Sequence, residues 1–236
     1  MRTFIQRLGA MSLLVAFSLA LVACGNKEAE QRNAFISFLQ TRVLDKPGLR
    51  VPVPTAEEKA SFGDYAQHYA VITDFNEGMN KSVSQPMTQI MAKGALRSIA
   101  DLPARRDDLK AAKDGLTGLR TALDQQSAKA DAAHAQLKQP DDLKQVYDKA
   151  YEKTVTTPSA TFKEVFPALD TVFDSALAIG DFMEKNKSKI QVSGSSVAVT
   201  DPAVQAELNK MLQQLNGQSA AINAAQQKMQ AVVRGS

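Results

Sequence analysis

The only cysteine in the 236-residue chain, Cys24, directly follows an apolar run, where a thiol can accept a lipid. Two arginines precede the run, which extends from Leu8 to Ala23 without an acidic residue, a pattern typical of an export leader. Its last residues, Leu21, Val22 and Ala23, resemble the lipobox of bacterial lipoproteins. In such lipoproteins, small residues before the cysteine give the signal peptidase access to the backbone, and the cysteine sulfur receives diacylglycerol. The sequence therefore predicts cleavage after Ala23, leaving S-diacylglycerol and an N-acyl group on Cys24.

Two other uses of this segment remain open on the residues alone. A lone cysteine in an exported protein is sometimes a free or intermolecular thiol. A membrane-spanning helix is also open, although about 20 apolar residues are needed to cross a bilayer and this run is shorter. The position of Cys24 at the end of the run favours the lipid anchor over both.

A lipid on Cys24 would make a membrane the first partner of this chain. Each buried methylene contributes about 0.8 kcal/mol, so the two or three acyl chains of a processed lipoprotein hold a protein firmly. Gly25 follows the cysteine where aspartate would favour retention at the inner membrane, while other sorting rules read Asn26 and Lys27. We therefore predict an envelope protein that faces the periplasm, at the outer membrane rather than the inner.

Net charge and cysteine content limit the kinds of partner and of covalent cross-link that this chain can have. The formal net charge is +3, and loss of Arg2 and Arg7 with the 23-residue leader reduces it to +1 for the remaining 213 residues. A nucleic-acid partner needs a strong positive field, which argues against one here. Without a second cysteine no internal disulfide can form. We expect a leader at 1–23 and one domain at 24–236.

The two histidines, His68 and His134, are the weak candidates for a metal site, since each has an acid at helical spacing. Asp64 precedes the first by four residues and Asp131 precedes the second by three. Two such pairs from facing helices can bind a metal ion. The alternative, that each histidine is a hydrogen-bonded residue with a local helix partner, is favoured because no ligand motif is present. We predict no metal and no cofactor other than the covalent lipid.

No catalytic residue is predicted. A GxSxG elbow and an SxxK pair are both missing from the sequence, and the adjacent acids Asp107-Asp108 and Asp141-Asp142 would point about 100° apart on a helix. Three lysines, Lys185, Lys187 and Lys189, stand at a predicted helix end. They fit the negative end of the helix dipole, or alternatively anionic headgroups beside the anchor.

Apolar residues recur at intervals of three and four through most of the chain, which predicts an all-α antiparallel bundle of about five or six helices. Helices are expected at 26–44, from a capping box at Thr55, at 85–100 and at 104–138, and after Pro140, Pro158 and Pro202. Gly115 and Gly118 indicate a kink or a close helix contact. Alternating Ile190, Val192, Val197 and Val199 around a Ser-Gly-Ser-Ser turn predict one short β-hairpin.

Several stretches resemble the YiaF-like lipoproteins of Gram-negative bacteria, a family of unknown function. They are 31–40 (QRNAFISFLQ), 57–65 (EEKASFGDY) and above all 129–158 (KADAAHAQLKQPDDLKQVYDKAYEKTVTTP). A looser match extends to 179–182 and the hairpin. The resemblance implies a lipid-modified, mostly helical envelope protein, and Cys24 is the only functional residue that it carries over.

These observations lead to two functional hypotheses. The first is a non-enzymatic interaction or scaffolding lipoprotein, with an envelope protein of unknown identity as its partner. The second is a periplasm-facing module that holds a lipid or small apolar ligand between helices. Aromatic residues would line that pocket, although at helical spacing they are more often core. The aromatic residues in question are Phe62, Tyr65, Tyr69, Tyr147, Tyr151 and Phe173.

Overall fold

The structure, a computed structural model, describes residues 26–94 and 98–235. Almost all of this chain is helical, which confirms the predicted all-α bundle. The elements in chain order are α1 (26–44), α2 (Ala56–Phe62), α3 (Tyr65–Met79), α4 (Gln85–Gly94), α5 (Arg106–Ala135), α6 (Asp141–Tyr151), α7 (Thr157–Lys163), α8 (Val165–Lys185), β1 (Ile190–Ser193), β2 (Ser196–Val199) and α9 (Pro202–Arg234).

Three long antiparallel helical segments run the length of the molecule. The first joins α3 to α4 and the second is α5, each of 30 residues and therefore about 45 Å long. The third runs from α6 through α7 to α8. Helices α1 and α2 pack beside one half of these segments and α9 beside the other half. Counted as continuous segments, the described part of the chain has six helices, as predicted.

Three wide π-helical turns occur in the described helices, one at the end of α1 and two within the long segments, and a proline follows each one. They lie at Leu39–Leu44, Asn80–Ser84 and Glu152–Thr156, ahead of Pro47, Pro86 and Pro158. Proline lacks an N–H and crowds the carbonyl four residues earlier, and a widened turn relieves both problems at Pro86 and Pro158. The helix expected to start at Gln85-Pro86 is present as α4, but it continues α3 without a break, because the π-helical turn at Asn80–Ser84 joins the two. The helix expected to reach Ala100 does not do so as α-helix: α4 is described as far as Gly94, Ser98 is extended, and Ile99–Asp101 form a short 3₁₀ turn.

The core is divided into two clusters. We call the cluster nearer the start of α1 the proximal core; it lies among α1, α2, α3, α6 and the C-terminal end of α5. Eight of its 15 buried residues are aromatic. The ring of Phe35 lies 5.2 Å from that of Phe62 and 6.3 Å from that of Tyr147, all three buried.

The second cluster, which we call the distal core, lies among α5, α8, α9, β1 and the short segment around Leu102. It is mainly aliphatic, with two aromatic residues among 16. On α5 the predicted leucine stripe is buried, with Leu116 and Leu123 fully enclosed. Outside this core, cations at intervals of seven on α5 pair with acids on α8. The ladder consists of Arg106 with Asp181, Lys113 with Asp174, and Arg120 with Asp170.

The predicted hairpin is present, with Ile190 opposite Val199 and Val192 opposite Val197. Its turn places Gly194 at a φ of 58°, which suits glycine. Asp201 then caps α9 by accepting hydrogen bonds from the backbone of Ala203 and Val204 at 2.9 and 3.1 Å. Helix α9 returns along α8 until the backbone N–H of Leu49 donates to the Val233 carbonyl at 3.2 Å. The ends of α1 and α9 therefore meet near the middle of the molecule.

Of the two glycines singled out on α5, only Gly115 makes the expected close contact. A β-carbon there would lie 2.7 Å from Cδ1 of Ile90, whereas one at Gly118 would meet nothing within 4 Å. The helix expected after Pro158 is broken at Glu164, between α7 and α8 and three residues before Pro167.

Candidate functional site

The predicted anchor residues Leu21, Val22, Ala23 and Cys24 lie outside the described residues. Residue 26, the first that is described, is already in α1, and contacts with two other helices hold the first turns of that helix. The Tyr65 hydroxyl donates to Glu28, and Arg32 lies 3.8 Å from the Glu28 carboxylate and 3.3 Å from that of Asp142. The start of α1 is thus fixed to both α3 and α6.

Burial and the Glu28 carboxylate together raise the pKa of Tyr65 to about 12. Burial likewise raises the pKa of Tyr69, Tyr147 and Tyr151. These phenols stay neutral and act as hydrogen-bond donors. Tyr69 donates to the Pro52 carbonyl at 3.0 Å and Tyr147 to the His68 carbonyl at 2.7 Å. All four tyrosines of the chain therefore join elements of the proximal half.

His68 is bound by a neighbouring loop. Its Nδ1 lies 3.1 Å from Nε2 of Gln139, and the amide is the donor when the imidazole is neutral. Burial lowers the pKa of His68, although the nearby Asp64 carboxylate opposes that shift. A neutral, half-buried imidazole with this partner is a structural residue that links α3 to the loop before α6.

His134 has a different partner from the one that its spacing suggested. Its Nε2 lies 2.9 Å from Oδ1 of Asp148 on α6, and its ring stacks on Tyr151 with 4.1 Å between centroids. Asp131, the expected helix partner, instead accepts a hydrogen bond from the Tyr151 hydroxyl at 2.7 Å. Burial opposes ionisation of Asp148, but hydrogen bonds from Lys144 and His134 outweigh it and lower the pKa of that carboxyl.

The two histidines thus contact separate partners instead of converging. Across residues 26–94 and 98–235, no three His, Cys, Asp or Glu side chains are grouped so that they could hold a metal ion. In that same part of the chain, no helix has the length and apolar character required to cross a membrane.

The three lysines at and after the end of α8 lie at the distal end, opposite the start of α1. Lys187 pairs with Glu184 at 2.8 Å and Lys189 with Asp201 at 2.7 Å. The carbonyl of Phe182 accepts a hydrogen bond from the Asn186 side chain, so an amide performs part of the capping expected of the lysines. The alternative of headgroups beside the anchor does not fit this location.

A lysine that the sequence did not single out binds the end of α1. The Nζ of Lys153 donates to the carbonyls of Val43 and Leu44, each at 3.0 Å, and also to that of Lys46. An ammonium group at the negative end of a helix is favourable. In the sequence, Lys153 is notable only as a lysine near Pro158. That position does not reveal that its partners lie more than 100 residues away.

The six aromatic residues proposed to line a pocket are all buried, each no more than 9% exposed. They form core. An apolar opening does exist elsewhere: a groove of about 490 Å³ between α4, the α7–α8 break and α9. Three methionines, Met87, Met91 and Met229, line it together with Phe162 and Ile222. In the sequence, the four-residue spacing of Met87 and Met91 was the pattern that could have indicated this groove.

Comparison with known proteins gives the family. Residues 10–230 match the family described as "Protein of unknown function (DUF3053)". This chain belongs to that family. The matched range includes Cys24 and most of the apolar run before it.

Among relatives, the chain is 31% identical over 215 residues to the "Uncharacterized protein YiaF" of Escherichia coli strain K12. The alignment covers 91% of this chain and 90% of that protein. The YiaF of Shigella flexneri matches to the same extent. These matches confirm the resemblance found in the sequence. No solved structure matches this chain.

Proposed function

We propose that this protein is an envelope lipoprotein, acylated on Cys24, whose helical rod acts as a non-enzymatic scaffold for another envelope protein. The observation that carries the proposal is the fixed base of α1. That helix is already formed at residue 26, two positions after Cys24 in the sequence, and Tyr65, Glu28 and Arg32 bind it to α3 and α6. A lipid on Cys24 would therefore orient the whole rod with almost no intervening tether.

The test of the anchor is replacement of Cys24 by serine in the full chain. Wild-type protein should incorporate labelled palmitate and sediment with membranes, whereas the Cys24→Ser chain should take up no label and lose its leader inefficiently. Equal labelling of both chains would exclude Cys24 as the acylated residue. Separation of inner and outer membranes then tests the outer-membrane location, with the folded part facing the periplasm.

The scaffold role requires a companion protein. A photoreactive amino acid placed at Val192, which is 48% exposed on the distal hairpin, tests for one in the native membrane. We expect a discrete protein adduct, with Lys27 at the start of α1 as the control position, expected to give none. If photoreactive residues at positions throughout the exposed distal surface gave no adduct, the scaffold role would be contradicted.

One observation favours a second role, that of a carrier of a lipid or other small apolar molecule. The methionine-lined groove is apolar, and methionine adapts readily to ligands of varied shape. A fluorescent fatty acid should gain emission on binding wild-type protein, and Met91→Lys should abolish the gain while Met211→Lys on the same protein should not. If the emission of the fatty acid did not rise with wild-type protein, the carrier role of the groove would be excluded.

A further inference from the structure

Cations concentrate at the middle of the rod, where α1 ends. Two hollows of about 520 and 440 Å³ adjoin there and share Lys46 and Pro47. Arg42, Lys46 and Arg50 are the charged residues of the first hollow. The second hollow adds the charged residues Lys149, Glu152 and Lys153. Five of the six charged residues are therefore basic, in a chain whose predicted mature net charge is only +1; we call these five the basic surface.

Three of these cations remain available to a ligand. Arg42 pairs with Glu58 at 2.7 Å, and the Lys153 ammonium is bound to backbone carbonyls. Within the described ranges, Lys46, Arg50 and Lys149 are exposed and form no ion pair. Asp45, Glu57 and Glu58 are nearby acids along the chain, and Glu152 lines the second hollow, so the hollows themselves are lined by five cations and one acid.

An exposed apolar residue accompanies this charge. Val53 is 78% exposed, more than Met91, Val192 or Val233. It stands between Pro52 and Pro54, whose fixed φ angles restrict the segment. The Pro52 carbonyl is also bound by Tyr69. The valine is thus held outward on a rigid segment, next to Arg50.

We propose that the basic surface binds the phosphates of an anionic phospholipid layer, with Val53 entering the edge of its apolar region. Lysine and arginine clusters are attracted to such layers, and an adjacent apolar side chain adds burial in the interface. Both hollows are open to solvent, so headgroup phosphates can reach the ammonium and guanidinium groups that line them.

The position of the basic surface specifies an orientation. It lies at the end of α1, 19 residues and about 28 Å from residue 26. A protein acylated at Cys24 and bound through this surface would lie with α1 along the membrane. That orientation rests on the proposed anchor, whereas the binding itself does not.

The test uses the chain from residue 24 with Cys24→Ser, since every residue of both cores lies at position 35 or beyond. Vesicles of phosphatidylcholine alone are compared with vesicles that also contain phosphatidylglycerol, by co-sedimentation. We expect binding only to the anionic vesicles. The triple variant Lys46→Gln, Arg50→Gln, Lys149→Gln should bind on the order of a hundredfold more weakly.

A matched control removes three exposed cations of the distal half, Lys93, Lys110 and Lys185, each replaced by glutamine. It has the same net charge as the test variant. It should bind within about threefold of the wild type, because salt screens charges that lie far from the basic surface. Val53→Ser should weaken binding several-fold. Circular dichroism establishes that each variant is folded.

Three outcomes would overturn the proposal. The first is equal binding to both kinds of vesicle. The second is an equal loss in the test and control triple variants, which would indicate a net-charge effect. The third is selective competition, by inorganic phosphate or by polyglutamate, at an ionic strength where sodium chloride does not compete. Those competitors would identify a free anion or an acidic polypeptide as the ligand instead.

Discussion

The proximal core is rich in aromatic residues and hydrogen bonds, whereas the distal core is mostly aliphatic. All four tyrosines lie in the proximal core, and their hydroxyls bind Glu28, Pro52, His68 and Asp131. In the distal half, most polar links between helices are surface ion pairs, each of which contributes little free energy, and Gln218 adds one partly buried hydrogen bond to Ser175 at 2.8 Å.

This difference indicates different tasks for the two halves. Directional hydrogen bonds specify one arrangement of helices, which would suit a helix next to the proposed lipid anchor. The distal half contains the open methionine groove and α4, a helix without a fully buried residue among those described. The proximal half thus fixes orientation, and the distal half offers surface.

The largest expected effect comes from alkaline pH, because only the proximal core contains phenols. The ordinary tyrosine pKa is 10.0, and burial first, with Glu28 adding, raises that of Tyr65 to about 12. A raised folded-state pKa gives stability that is complete below pH 10 and is lost as pH rises through the folded value. We expect phenolate absorbance and loss of helical circular dichroism to appear together near pH 12.

Tyr147→Phe should move that transition to higher pH, since one buried phenol is removed. Phenolate formation near pH 10 with the helices intact would mean that the tyrosines are accessible, and would contradict the tight proximal core.

The next effect compares one large buried residue in each core. Phe35→Ala should lower the free energy of unfolding by about 4 kcal/mol and Leu116→Ala by about 3 kcal/mol, because both leave cavities and Phe35 also loses ring contacts. Urea denaturation measures both values. A larger loss for Leu116→Ala would reverse the comparison.

A medium effect is expected at the junction of the halves. Lys153→Met removes the ammonium from the carbonyls at the end of α1 and should cost about 2 kcal/mol in unfolding free energy. Lys149→Met, one turn earlier and without an ion pair among described residues, is the matched control, with a change below about 0.5 kcal/mol. Equal effects would show that the carbonyl contacts do not matter.

The smallest effect is a gain in the distal half. Gly118→Ala should stabilise the protein by about 0.5 to 1 kcal/mol, because alanine favours helix and nothing crowds the site. Gly115→Ala should gain less or destabilise, since Ile90 must move. A thermal melt of both variants gives the comparison, and the opposite order would contradict the packing of α4 on α5.

The capping box at Thr55 and the proline at Pro202 predicted the starts of α2 and α9. Apolar periodicity predicted the helix that forms α5 and, where apolar residues alternate, the hairpin. It did not predict that α3 continues into α4, because a π-helical turn accommodates Pro86 without changing the apolar pattern. Nor did it predict the division into two cores. Both clusters use the same long helices, and sequence spacing does not say which neighbour covers each part.

Site prediction was limited for a similar reason. Local spacing suggested Asp131 as the partner of His134, but Asp148 on another helix takes that place. Lys153 and its carbonyl partners are also brought together only by the fold. Cys24 is the opposite case, since its evidence lies wholly in the adjoining residues.

The most direct measurement of the central claim is the mass of the N-terminal peptide of the protein purified from membranes. We predict a peptide that begins at Cys24 and carries a diacylglyceryl group on sulfur and an acyl group on nitrogen. An unmodified thiol, or a peptide that still contains Val22 and Ala23, would contradict it.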